Sequence, residues 1–265
     1  MIKSARFIFG VAALFGILAL PARADSAGEP AYHTGFSAIM KLGRDVYNAI
    51  KGPNKDQINA QPIVIDPDSV PYIRLLYIAE EPKPFRGVAI SAGFVDLVNL
   101  IAHAKAIDKK EKGYFEKYIK ILAEEKGDKE LKPLPNDTKP EYWTEDMLNE
   151  QSSNFNEIVG VVLGITLAEH YLGYYDKFKE QLKDPNARIN NLLTPKEWDR
   201  CLASGVRNSL DAGYAIEGVV PFFEAFDKMG LRPAWAANFV PDSVRFGKIK
   251  KDLEKLQKKF FANEE

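Results

Sequence analysis

The chain has 265 residues, with 36 Lys plus Arg against 37 Asp plus Glu, 46% hydrophobic residues, one Cys and three His. Those proportions describe a globular protein with enough apolar residues for a sizeable core. A formal net charge of -1 lacks the concentrated basic footprint of a nucleic-acid binder, and one Cys excludes disulfide frameworks and every Cys-based zinc or cluster motif.

The first 24 residues read as a signal peptide. Lys3 and Arg6 supply a positive start, Phe7 to Leu20 form an uncharged apolar run, and Ala22-Arg23-Ala24 is a small-x-small cleavage signal. The run is shorter than the roughly 20 residues needed to cross a bilayer comfortably, although an uncleaved anchor is the alternative. Cleavage after Ala24 leaves residues 25–265 with a formal charge of -4. The expected location is the periplasm or the outside of the cell, and no later segment of the mature chain has the length and apolarity of a transmembrane span.

Residues 25–265 read as one domain of mixed, mostly helical order. Phe36, Ile39, Met40, Gly43, Val46, Tyr47 and Ile50 recur at three- and four-residue steps, predicting a helix that ends at Gly52-Pro53. Three β-rich runs follow, Pro62 to Ile65, Tyr72 to Ala79 and Gly87 to Ser91, which predict a small sheet or hairpin around the Glu81-Pro82-Lys83-Pro84 turn. Phe94 to Ile101 opens an apolar helix. A charged helical insertion near 105–150 follows, in which Tyr114, Phe115, Tyr118, Ile119 and Leu122 keep helical spacing. Lys132 to Pro140, with three prolines, is the candidate internal linker.

Beyond it, Asn154 and Glu157 fit an N-cap and its N3 partner, opening a long helix to about Lys183. Thr194-Pro195-Lys196-Glu197 is a better start signal, for a helix running to Asp211 and ended by Gly213. A shorter helix is expected from Ile216 to Met229. In the tail, Val244, Phe246, Ile249, Leu253, Leu256 and Phe260 form one stripe with six lysines elsewhere, predicting a docked helix with a wet basic face; membrane-surface or partner binding is the other reading of that face.

Ile90-Ser91-Ala92-Gly93-Phe94, at the end of a strand and the start of an apolar helix, resembles the entry to the active-site region of a zinc metallopeptidase. The family is that of the heat-shock and CAAX-prenyl endopeptidases, whose active-site helix reads V-L-G-H-E-L-A-H-H-Y-L-G-H or close to it. Val162-Leu163-Gly164-Ile165-Thr166-Leu167-Ala168-Glu169-His170-Tyr171-Leu172-Gly173-Tyr174 is similar to it in its flanks. Asp211-Ala212-Gly213-Tyr214 and Pro221 to Phe226 echo a later helix pair. The resemblance spans most of residues 60–240, apart from the insertion, and implies an α+β, mostly helical fold with a small sheet on a metallopeptidase-like helical core.

In H-E-x-x-H, two histidines four apart on one helix face hold zinc, and the Glu beside the first acts as general base on the metal-bound water. The resemblance places those roles at Ile165, Thr166 and Glu169, with the downstream acidic ligand at or near Trp198. Isoleucine offers no donor and threonine no base. A one-residue shift gives His170 the second histidine position but leaves Thr166 and Leu167 in the other two roles. The motif is therefore degenerate. The nearest residual polar cluster is His170, Glu169, Glu197 and Asp199. Glu169 and His170 are adjacent and point about 100° apart on a helix, His170 has Tyr174 at i+4 as a polar partner, and Glu197 is already explained by the capping box. His103, in Ile101-Ala102-His103-Ala104-Lys105, reads as a helix histidine at the core edge.

Tyr142, Trp143, Trp235 and Phe239 lie in loops, where aromatics plug core edges or form a peptide or sugar platform; Leu231 to Trp235 reads as a lid over a cleft. The resulting expectation is an exported, non-catalytic metallopeptidase-like protein without a cofactor, binding or scaffolding a protein or peptide partner in the cell envelope. The alternatives are a metal-dependent hydrolase, zinc included, with a non-standard site around His170, and a structural secreted protein.

Overall fold

A computed structural model of the chain describes residues 32–79, 83–124, 131–184, 186–230 and 232–262. The signal segment and its cleavage site after Ala24 lie outside the described residues. The fold is α+β and mostly helical, with one three-stranded mixed sheet.

Helix α1 (Phe36–Ala49) buries Ile39, Leu42, Gly43 and Val46, the stripe its sequence spacing predicts. Strands β1 (Ile63–Asp66), β2 (Ile73–Ile78) and β3 (Phe85–Ser91) follow. β3 is central: β2 pairs with it antiparallel, Ile73 opposite Ile90, and β1 pairs with it parallel, Ile63 opposite Val88. A central strand covered on both faces loses the apolar-polar alternation of a half-buried one, and β3 is buried from Gly87 to Ser91.

β3 runs directly into α2 (Ala92–Asp108). Ser91 makes that junction by accepting from the Phe94 N–H at 3.0 Å and the Tyr72 N–H at 2.9 Å, while its hydroxyl donates to the Tyr72 carbonyl at 3.2 Å. One side chain thus satisfies an orphan helix donor and ties the helix to the neighbouring strand. Gly93 beside it has no room for a side chain, since a methyl group there would lie 2.0 Å from the Ser69 carbonyl oxygen.

Helix α3 (Tyr114–Ala123) buries all five of its predicted apolar residues. The Lys132 to Pro140 segment is docked rather than a free linker. Leu134 is buried, Tyr114 donates to the Pro135 carbonyl at 2.7 Å and Tyr118 to the Lys132 carbonyl at 3.0 Å. Two α3 tyrosines that bury their rings need acceptors for their hydroxyls, and the proline-rich loop supplies backbone carbonyls.

The long helix differs most from its sequence expectation. α4 spans Glu145–Tyr171 and starts nine residues before Asn154, so Asn154 and Glu157 are interior to it. Glu157 caps a different helix: its Oε2 accepts the Gly218 N–H at 2.6 Å, immediately ahead of α8 (Val219–Lys228). Nor does α4 reach Lys183. Gly173, at φ 79°, turns the chain into the short α5 (Tyr174–Phe178), because a left-handed residue there ends the helix and glycine adopts that conformation without steric cost. From Phe155 to Tyr171 every α4 residue except Asn156 is buried, so α4 is the central rod of the molecule and has no one-sided apolar stripe to read.

After α6 (Ile189–Leu192), α7 (Pro195–Asp211) opens on the predicted capping box. The Glu197 N–H donates to Thr194 Oγ1, and the Thr194 N–H donates to Glu197 Oε2 at 2.8 Å. α7 crosses α4 backbone to backbone at glycine. A methyl group on Gly205 would lie 2.5 Å from the Ile165 nitrogen, one on Gly164 would lie 2.8 Å from the Gly205 oxygen, and one on Gly160 would lie 2.8 Å from Ser209 Oγ. The last helix, α9 (Phe246–Ala262), docks through Ile249, Leu253 and Phe260.

Because the backbone of Gly164 and Ile165, with the first side-chain atoms of Ile165, faces Gly205, Gly205→Ala forces the helices apart and is expected to cost about 1–3 kcal/mol in urea unfolding. Gly247→Ala, on α9 with nothing within 4 Å of the added carbon, is expected to be neutral or stabilising by up to about 1 kcal/mol. Equal effects of the two would contradict the close crossing.

Candidate functional site

The positions that the metallopeptidase resemblance singles out lie on the C-terminal half of α4 and the first turn of α7. Ile165 is buried and packs on Gly205. Thr166 is buried, and its hydroxyl donates to the Val162 carbonyl at 3.1 Å, one turn back on its own helix. Its oxygen is therefore committed within α4. Glu169 is only 2% exposed. Burial alone pushes its carboxyl well above the ordinary carboxylate range, which favours the protonated form. Trp198 is wholly buried, its ring edge-on to Phe223.

His170 points elsewhere. It is wholly buried, and its Nε2–H donates to the Gly87 carbonyl at 2.7 Å. A carbonyl can only accept, so the proton of the neutral ring sits on Nε2. Burial, the largest influence, lowers its pKa from 6.5 to about 4. The expected pair with Tyr174 does not form. The ring centre lies 5.3 Å from that of Tyr175 instead, because Gly173 breaks the helix before position 174 and removes the i+4 geometry.

Glu197 and Asp199 do not join Glu169 and His170 in a cluster. Glu197 accepts from Lys177 Nζ at 2.6 Å and from Thr194, which lowers its pKa to about 2. Asp199 accepts from Lys248 Nζ on α9. Both are bound to neighbours across the surface. Cys201, one turn beyond Glu197, is buried, and burial is the largest influence pushing its thiol pKa up. Among the described residues no group of three or more His, Cys, Asp and Glu side chains is placed to hold a metal ion. Ile165 lacks a donor, Thr166 is engaged, Glu169 is buried where the neutral carboxyl is favoured, and His170 donates to a strand, so the residues present at the motif do not fit a zinc ion.

The other candidates also find structural partners. His103 is wholly buried, its Nε2–H donating to the Tyr142 carbonyl at 2.6 Å and its Nδ1 accepting from the Tyr32 hydroxyl at 3.0 Å. Tyr32 and Trp143 present edges to its ring or lie tilted against one another. Tyr142, Trp235 and Phe239 are buried. Trp235 packs against Phe226 and Phe239 in a cluster continued by Phe94 and Phe222, so it is a core plug and not an overhanging lid. Leu231, at the start of the predicted lid, lies outside the described residues. A surface groove of about 360 Å³ runs between α8 and α9, lined in part by Ile216, Val220 and Leu253, and a smaller one of about 60 Å³ lies at Met40 and Ile63. Neither includes a motif position.

One buried polar network has no counterpart in the sequence reading. The Thr34 hydroxyl and Gln151 Nε2 both donate to Asn99 Oδ1 at 2.6 Å, and Asn99 Nδ2 donates to the Val95 carbonyl at 3.0 Å. With the Tyr32–His103 pair it pins residues 32–34 between α2 and α4. Asn99, a lone amide inside the apolar run from Phe94 to Ile107, was the available signal.

Two buried ionisable groups of α4, Glu169 and His170, give stability opposite pH dependences. Above pH 4.5 the unfolded chain releases the Glu169 proton that the folded protein keeps, so this contribution falls as pH rises, by up to about 1.4 kcal/mol per pH unit. Below pH 6.5 the unfolded chain takes up a proton that folded His170 refuses down to about pH 4, so stability is also lost as pH falls through that window. Glu169→Gln should therefore match the parent near pH 4.5 and exceed it increasingly towards pH 8 in urea unfolding. Parallel pH profiles would mean that folded Glu169 is ionised.

No protein-family model matches the chain, and neither does any curated protein or any solved structure.

Proposed function

We propose that the chain is an exported, non-catalytic protein of metallopeptidase-like pattern that acts as a binding or scaffolding module in the cell envelope, and that export follows cleavage after Ala24. The observation that carries this reading is the closure of the motif helix. Catalysis by a metal-bound water needs converging donors and an open coordination position in a cleft. Ile165, Thr166, Glu169 and Trp198 are instead buried, and the α4 and α7 backbones touch at Gly164, Ile165 and Gly205.

A buried carboxyl at the second histidine position supports the same reading. General-base catalysis requires an ionised or ionisable group within hydrogen-bond reach of substrate or of one bridging water, and burial favours the neutral form of Glu169. The outward-facing surfaces, not the helix interior, are then left to do the work of the molecule, which is a requirement for contacts and not for chemistry.

The test is elemental analysis of residues 25–265 purified without chelator, with His170→Ala alongside. The expected result is less than about a tenth of an equivalent of Zn, Mn, Ni or Fe in either protein, with no chelator-sensitive casein hydrolysis. Close to one equivalent, lost in His170→Ala, would overturn the proposal in favour of a hydrolase with an unconventional ligand set.

A further inference from the structure

Helix α9 carries the most uneven charge distribution among the described elements. Phe246–Ala262 contains six lysines against Asp252 and Glu254, in a chain whose overall formal charge is -1. Ile249, Leu253 and Phe260 are buried against the body. At 100° per residue, Lys251, Lys255 and Lys258 lie opposite the buried stripe and Lys250 and Lys259 on its two flanks, and all five are exposed. The sixth, Lys248, is neutralised by Asp199 and Asp252. Among the described residues the other five have no ion-pair or hydrogen-bond partner, and Glu254 is the one acidic side chain interspersed with them. Asn263-Glu264-Glu265, beyond the described residues, adds two acidic groups.

The same face holds an apolar residue. Phe261 is 53% exposed, more than any other exposed large hydrophobic residue described. Its helical position is within about 20° of Lys250. Phe260, next to it, is buried and covered by the Arg207 guanidinium, so the burial that α9 needs for docking is complete without Phe261. A solvated lysine face needs no partner and neither does one exposed aromatic, but side by side they offer both a cationic and an apolar contact to one surface.

We infer that the outward face of α9 is a docking surface for an anionic lipid bilayer, with the five lysines lying against headgroup phosphates and Phe261 entering the boundary of the acyl region. An acidic protein would satisfy the lysines, and would also need an apolar pocket placed beside its acidic groups to take Phe261. A lipid surface is anionic where the lysines lie and apolar just beneath, which matches a helix lying in the interface plane with basic and aromatic side chains on one side. The inference concerns a surface remote from the α4 motif and holds whether or not that motif does chemistry.

The experiment is sedimentation of residues 25–265, which retain every described residue, with vesicles of phosphatidylcholine alone or with about a third phosphatidylglycerol. Partition to the anionic vesicles should exceed that to neutral ones by about tenfold at low salt and fall by a similar factor in about 0.5 M NaCl. Replacing the five lysines by Gln should abolish the preference while leaving far-UV circular dichroism unchanged, because the residues are exposed and Gln is a good helix former. Phe261→Ser should weaken partition about threefold, leaving the salt dependence intact. Absence of partition, or partition unchanged in either variant, would overturn the proposal. Binding to poly-glutamate as tight as to anionic vesicles would overturn the lipid assignment and reassign the face to an acidic protein.

Discussion

The close crossing of α4 and α7 is the constraint on which the rest of the molecule depends. Helices normally pack with axes 8–10 Å apart, at a separation set by the side chains between them. Here Gly160 and Gly164 on α4 meet Ser209 and Gly205 on α7, and a methyl group at any of the three glycines would clash with what faces it. That approach leaves no layer of side chains between the backbones and carries α4 into the centre, where α1, α2 and the sheet cover its remaining sides. α7 is started in register by the Thr194 capping box, and α4 is stopped by Gly173 before it can overrun the crossing.

A helix buried on all sides must settle most of its polar groups internally, and α4 does so one residue at a time, with His170 Nδ1 left unpartnered among the described residues. Thr166 bonds back to Val162, His170 donates to the Gly87 carbonyl of β3, Glu157 caps α8 at Gly218, and Gln151 joins Asn99 and Thr34. Burial is the influence acting on the Glu169 carboxyl and favours its neutral form. Each solution uses the group at that position as a structural element. Zinc chemistry of the H-E-x-x-H kind would need two ring nitrogens and a carboxylate converging on one point, whereas the bonds here diverge to a strand, a helix end and the helix's own backbone.

Much of this architecture was legible in the chain. The α1 stripe, the three strands, the Thr194 box and the α9 stripe depend on local signals: one-sided periodicity, Pro and Gly punctuation, and a cap with its N3 partner. The start of α4 was not legible for a physical reason. Between Phe155 and Tyr171 burial is nearly all round, so periodicity vanishes, and Asn154 with Glu157 imitates a cap although the glutamate serves Gly218, 61 positions away. The His170–Tyr174 pair failed because its i+4 geometry presupposed a helix that Gly173 ends. Trp235 looked like a lid because a loop aromatic carries no mark of whether it faces solvent or a cluster; here Phe226 and Phe239 receive it. At the motif, the residue identities at 165, 166 and 169 were visible in the chain, whereas their closure beneath α7 rests on Gly205, whose role needs the other helix to be seen.

Cys201 offers the most direct probe of that closure. It is the one thiol in the chain and lies buried on α7, under the influence of Glu169 across the interface, with a raised pKa that disfavours the reactive thiolate. The decisive measurement is its rate of reaction with a disulfide reagent in native buffer and in denaturing urea. A sealed α4–α7 interface predicts a native rate at least about a thousandfold slower than the denatured one, since reaction must await opening. Rapid modification of the native protein would show that α7 lifts from α4 under native conditions, and that the motif helix lines an accessible cleft after all.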